Sequence, residues 1–195
     1  MLSMKNQFHP RTRVKQLLIP GFLPVLFLFM SVGFLSCDDG PTAFTLTEPN
    51  FDNVAEPFDI SGLQPVVIEE GLEYIQVDPG NTDSPFEVVI RDQIRIHLTL
   101  RNQEGTIIYS TWQNGNDTPV VFNVSNIQLS FPTIYGPSQA YTEGLQRGVL
   151  GMRVDEKRVL LVAPELGFSG LRQGSLNEAF RNDTLRYDIE LFEIL

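Results

Sequence analysis

The chain of 195 residues has one cysteine, one tryptophan and two histidines, and each shortage excludes something. A single cysteine, Cys37, permits no intrachain disulfide and no multi-cysteine metal site. His9 and His97 fall in different regions, so a metal centre of His and Cys ligands has no donor set to draw on. No metal and no cofactor is expected. Positive charge is also scarce beyond the N-terminus. Residues 1–36 hold Lys5, Arg11, Arg13 and Lys15 and no acid, which leaves 10 basic and 24 acidic residues, a net of −14, for the rest. Such a surface repels phosphate backbones, and nucleic-acid binding is not expected. Internal repeats are absent as well.

What the chain does have begins with an address. The basic stretch 5–15 is followed by an apolar run, Leu17 to Leu35, and then by Ser36-Cys37. A basic segment, an apolar segment and a small residue before a break have the form of a secretory signal. Phe34-Leu35-Ser36-Cys37 resembles a bacterial lipobox, where cleavage falls before the cysteine and its thiol is acylated. The expectation is a lipoprotein signal peptide over 1–36, lipidation at Cys37, and a product held to a membrane in the cell envelope, on its periplasmic face or the cell surface. An uncleaved membrane anchor is the alternative, since the run approaches the ~20 residues that span a bilayer. Pro20 and Pro24 disturb the start of such a helix.

Residues 37–61, rich in Pro, Thr, Asn and acids, read as a flexible acidic tether. From 62 onward the pattern changes to short β-rich runs with turn residues between them. Leu72–Val77 alternates and ends at Asp78-Pro79-Gly80-Asn81. Asp92–Leu100 alternates strictly, with Ile94, Ile96, Leu98 and Leu100 on one face. A hairpin turn at 102–105 returns as Thr106–Thr111, and Pro119–Val124 is a further strand. Thr142–Leu150 is the one convincing helix. Lys157–Val162 and Thr184–Ile194 are strands, the latter placing Leu185, Tyr187, Ile189 and Leu191 on one face. Many strands, hairpin connections and one short helix make an antiparallel α+β domain over 62–195.

The block Glu143-Gly-Leu-Gln-Arg-Gly-Val-Leu-Gly-Met-Arg-Val-Asp-Glu-Lys-Arg-Val-Leu-Leu-Val-Ala-Pro-Glu-Leu-Gly-Phe168 resembles the signature of the FK506-binding-protein (FKBP) family of peptidyl-prolyl isomerases. Gly144, Gly148, Met152, Lys157, Arg158 and Pro164 fall in register with that signature. The ending Asp183-Thr-Leu-Arg-Tyr-Asp-Ile-Glu-Leu191 and the segment Ile96-His-Leu-Thr99 with Gly105 are similar to the family's as well. The resemblance runs from about residue 71 to the end. It implies an FKBP-like five-stranded antiparallel sheet wrapped around a short helix, with residues 125–138 as an insertion ahead of the helix.

The resemblance also implies a substrate pocket at Leu98, Ile108, Tyr109, Val120, Thr142, Leu145, Phe168 and Tyr187. Several of these depart from the family pattern. Leu98 stands for a Tyr, Ile108-Tyr109 for a Phe-Asp pair, Leu145 for a Trp, Phe168 for a Tyr and Tyr187 for a Phe. Thr142 holds the position whose backbone N–H binds ligand. Trp112 reads as a packing residue. The function implied is peptidyl-prolyl isomerisation by an exported lipoprotein that assists folding of envelope proteins, its partners being proline-containing segments of exported chains. The missing Asp and Trp imply weak or lost catalysis. A non-catalytic binding or assembly module of the envelope is the alternative.

Overall fold

The computed structural model describes residues 47–124 and 136–195. The signal peptide, Cys37, residues 37–46 of the expected tether and residues 125–135 of the expected insertion lie outside the described residues.

Seven strand segments form one antiparallel sheet in the order β1 (Val66–Glu69), β2 (Leu72–Asp78), β6 (Lys157–Val162), β7 (Leu185–Ile194), β3 (Gln93–Asn102) and β4 (Ile107–Ser110). β5 (Val120–Asn123) also lies against β3. β4 pairs with β3 at Thr99–Arg101 and β5 pairs with it at Gln93–Ile96, so the two share one edge of the same long strand. The sheet therefore exceeds the expected five strands in two ways. The β1–β2 hairpin adds an edge, and a short 3₁₀ turn at Gln113–Gly115 divides the opposite edge in two.

The alternation seen in the sequence is what divides the faces. Ile94, Ile96, Leu98 and Leu100 of β3 and Leu185, Tyr187, Ile189 and Leu191 of β7 are all at most 2% exposed on the concave face. Helix α1 (Glu143–Gly148) lies over that face, shorter than the expected 142–150 because Val149 and Leu150 turn out of it. Thr142 caps it, its hydroxyl accepting from Leu145 N–H at 3.1 Å. Gly144 and Gly148 are the points of closest approach to the sheet. A Cβ there would come within 2.3 Å of Val162 and Leu160 of β6, respectively. Behind the helix, Arg158 donates to Gly148 O at 2.8 Å and Leu150 O at 3.1 Å while pairing with buried Glu156. That guanidinium therefore satisfies carbonyls the short helix leaves open at its C-terminal end.

The convex face is covered too. Residues 47–61, expected within the flexible tether, belong to the same compact unit as the domain. Asn50 and Asn114 exchange two hydrogen bonds, at 2.8 and 2.7 Å. Arg101 donates to Ala55 O and Arg186 to Phe58 O, both at 2.7 Å, and Phe58 N–H donates to Asp188 at 3.2 Å. This strap explains why Thr99 and Arg101, on the outward face of β3, are as buried as their inward neighbours. Its docking was hidden from the sequence because it uses backbone atoms, and backbone contacts leave no periodic pattern.

Candidate functional site

The eight residues of the implied pocket converge on one region. Leu98, Ile108, Tyr109, Leu145, Phe168 and Tyr187 belong to a single buried apolar cluster, with Val120 packed against it half-exposed. Thr142 is buried beside them, 3% exposed. The strand register explains the convergence. Tyr109 of β4 opposes Leu100 of β3, Leu100 opposes Tyr187 of β7, and Tyr187 opposes Leu160 of β6. One step along, Leu98 opposes Ile189. Residues directly opposite in an antiparallel sheet share a face, so this row forms a floor.

The rim is made by Pro137–Ala140, a 3₁₀ turn, and by Tyr141, which leads into the helix. Tyr141 leans on Phe122 of β5 with ring centroids 4.9 Å apart, and its hydroxyl donates to Val121 O at 3.2 Å. Residues 136–138, the described end of the expected insertion, thus enter this turn rather than a separate lobe.

One polar contact crosses the floor. The Tyr187 hydroxyl lies 2.9 Å from Thr142 Oγ1 and donates to Ala140 O at 3.0 Å. Burial pushes the ionisation of Tyr187 far up, and that of Tyr109 likewise, with Tyr141 adding to the latter. Neither phenol ionises in any ordinary pH range, so neither acts as a base. Leu145 and Tyr187 have no exposed surface, so a ligand that touches them requires neighbouring groups to move.

The arrangement supplies an apolar floor and rim backbone groups. It supplies no nucleophile–base pair, and among the described residues no group of His, Cys, Asp and Glu could hold a metal ion.

The other face carries a second polar cluster. Arg101 and Asp188 form a buried pair at 2.6 Å, and Arg186 joins Asp188 at 2.8 Å. His97 stacks on Trp112 with centroids 4.1 Å apart, and its Nδ1 lies 3.2 Å from Thr111 Oγ1. Trp112 is thus a packing residue, as expected, but of the convex face. A cavity of about 230 Å³ lies between strap and sheet, lined by Glu56, Phe58, His97, Trp112, Lys157 and Glu190 among others. This cluster was missed from the sequence. Its signal was the polar half of two alternating strands, which reads as a solvated surface unless something covers it.

The comparisons with known proteins agree with the fold. The family model for FKBP-type peptidyl-prolyl cis-trans isomerase matches residues 85–192, from just before β3 into β7. FK506-binding protein 2 of Dictyostelium discoideum is 32% identical over 103 residues, which cover 53% of this chain and 65% of that protein. The chain therefore spans just under two thirds of that relative's length. Among solved structures, FkpA from Escherichia coli superposes with a TM-score of 0.50 at 18% identity, covering 69% of this chain and 53% of FkpA. The FKBP domains of wheat FKBP73 give a TM-score of 0.48 at 16% identity, covering 68% of this chain and 49% of that one. With the family model matching more than half of its length, and the sheet, the capping threonine and the buried floor arranged as described, the chain belongs to the FKBP-type peptidyl-prolyl cis-trans isomerase family.

Proposed function

We propose that the chain is an exported lipoprotein, anchored at Cys37, that binds proline-containing segments of envelope proteins and accelerates their cis–trans isomerisation. The observation that carries this reading is the convergence of the family-matched positions on one floor, with six of the eight buried in one cluster beside Thr142, the helix cap.

The chemistry asks little of side chains. A peptide C–N bond resists rotation by ~18–20 kcal/mol because of its partial double-bond character. An X-Pro bond populates both isomers and exchanges over tens of seconds or longer. The twisted amide has less charge separation than the planar one, so an apolar pocket that excludes water favours it differentially. A rim N–H that holds a substrate carbonyl adds orientation. In this reading Leu98, Leu145, Phe168 and Tyr187 form the apolar floor that substrate reaches once neighbouring groups move, and Thr142 supplies the N–H.

The departures favour a slow enzyme. Tyr109 stands where the family has an Asp, and Leu145 where it has a Trp, and both are buried. These two positions also support the second reading, a binding module without turnover. An NMR exchange assay on Xaa-Pro peptides with the full-length chain in detergent separates them. Acceleration proportional to protein concentration is expected. Peptide binding without any acceleration at micromolar protein would establish the binding module instead. The envelope assignment is tested separately, by radiolabelled palmitate incorporation that Cys37→Ala abolishes.

A further inference from the structure

Three hydrogen bonds run through the Thr142 and Tyr187 hydroxyls, and only one set of proton positions makes all of them at once. Leu145 N–H donates to Thr142 Oγ1, so that oxygen is an acceptor there. Tyr187 spends its one proton on Ala140 O, since a carbonyl cannot donate. Thr142 must then donate its own proton to Tyr187 Oη. The result is a directed chain from Leu145 N–H through Thr142 and Tyr187 to Ala140 O. Tyr187 and Leu145 are 0% exposed and Thr142 is 3% exposed, so no water competes. Chains of this kind strengthen one another in a low dielectric.

The chain has a mechanical meaning. It grips the segment Ala140–Thr142 at both ends, by the carbonyl of the first residue and the side chain of the last. The grip comes from the middle of β7, a strand paired on both sides. It also stands opposite a loss. Leu145 sits where the family pattern has a tryptophan, so the segment has less ring area beneath it. The Tyr187 hydroxyl, absent from the family's phenylalanine, replaces that packing with a directional restraint.

We propose that Tyr187 is a positioning residue, whose hydroxyl holds the Thr142 backbone N–H at the place where a substrate carbonyl is received. The inference rests on the substrate-binding reading above and adds a residue to it. Tyr187→Phe removes one oxygen from the interior and leaves the ring. It is expected to raise KM for an Xaa-Pro peptide about tenfold with kcat little changed, because the misplaced donor weakens binding throughout. Thr142→Val, which breaks the same chain of hydroxyls and keeps the backbone N–H, is expected to raise KM in the same direction. The independent readout is the ¹⁵N-labelled Thr142 amide, whose peptide-induced shift should shrink in Tyr187→Phe.

A Tyr187→Phe variant with wild-type KM and an undiminished Thr142 shift would overturn the proposal. So would a wild-type Thr142 amide that peptide leaves unmoved. If the wild type binds peptide but does not accelerate exchange, the isomerase reading fails alone, and peptide Kd in the two variants replaces KM as the measure of positioning.

Discussion

Arg101 and Asp188 are 87 positions apart in sequence and 2.6 Å apart in space. Both side chains are at most 6% exposed, so each charge depends on the other and on the few bonds around them. Removing one partner of such a pair strands a buried charge, which costs about 3–5 kcal/mol. Asp188→Ala, which leaves the buried Arg101 guanidinium without its carboxylate, is expected to lower unfolding free energy by that order in urea titration. It should also speed hydrogen exchange at the Phe58 amide, which donates to Asp188. His97 gives a second residue-scale expectation, through pH. Burial lowers its pKa below the usual 6.5, with Glu190 and Asp117 opposing. Below that value the unfolded chain takes up a proton more readily than the folded one, so acid favours unfolding. The contribution is intact above about pH 6.5 and is lost as pH falls through the folded value. Calorimetry between about pH 7 and pH 5 should show a shallower fall in Tm for His97→Asn than for the wild type.

At the scale of elements, the helix is placed by what it lacks. Gly144 and Gly148 let its backbone settle on β6, and the two sites should respond differently to a methyl group. At Gly148 the added Cβ meets the flexible end of Leu160. At Gly144 it meets both γ-methyls of Val162, a β-branched side chain with little rotamer freedom, and Leu166 O at 3.2 Å. Overpacking costs about 1–3 kcal/mol, and Gly144→Ala is expected at the upper end with Gly148→Ala below it, measured by thermal unfolding. These elements were legible in the sequence for a physical reason. β3 and β7 bury one face against a core, and that requirement writes itself as alternation. The strap was not legible, because its anchoring atoms are carbonyls and an amide that any residue supplies. That the matched positions would cluster was legible in the sequence, and the bonds among them were not. Matching placed Tyr187 at the floor, but nothing in the order of residues showed that its hydroxyl would find Ala140.

At the scale of the molecule, the sheet separates two environments. Its concave side is apolar and holds the family's floor. Its convex side is ionic and roofed by the chain's own residues 50–60. The interior strands β3 and β7 serve both, since alternate residues of each look to opposite sides. A substitution on one side is therefore read on the other through a shared backbone. Thr99 Oγ1 and Ser110 Oγ, 2.9 Å apart on the convex side, tie β3 to the strand that carries Tyr109 on the concave side.

The strap has a consequence under load. Tension applied to the chain ahead of Thr47 arrives first at the Asn50–Asn114 pair. It passes next to the contacts at Ala55 and Phe58, which end on β3 and β7. Both are interior strands, each paired on both sides, and β1 at the free edge is bypassed. A domain pulled from its N-terminal side is thus seized near its middle and not unzipped from its rim.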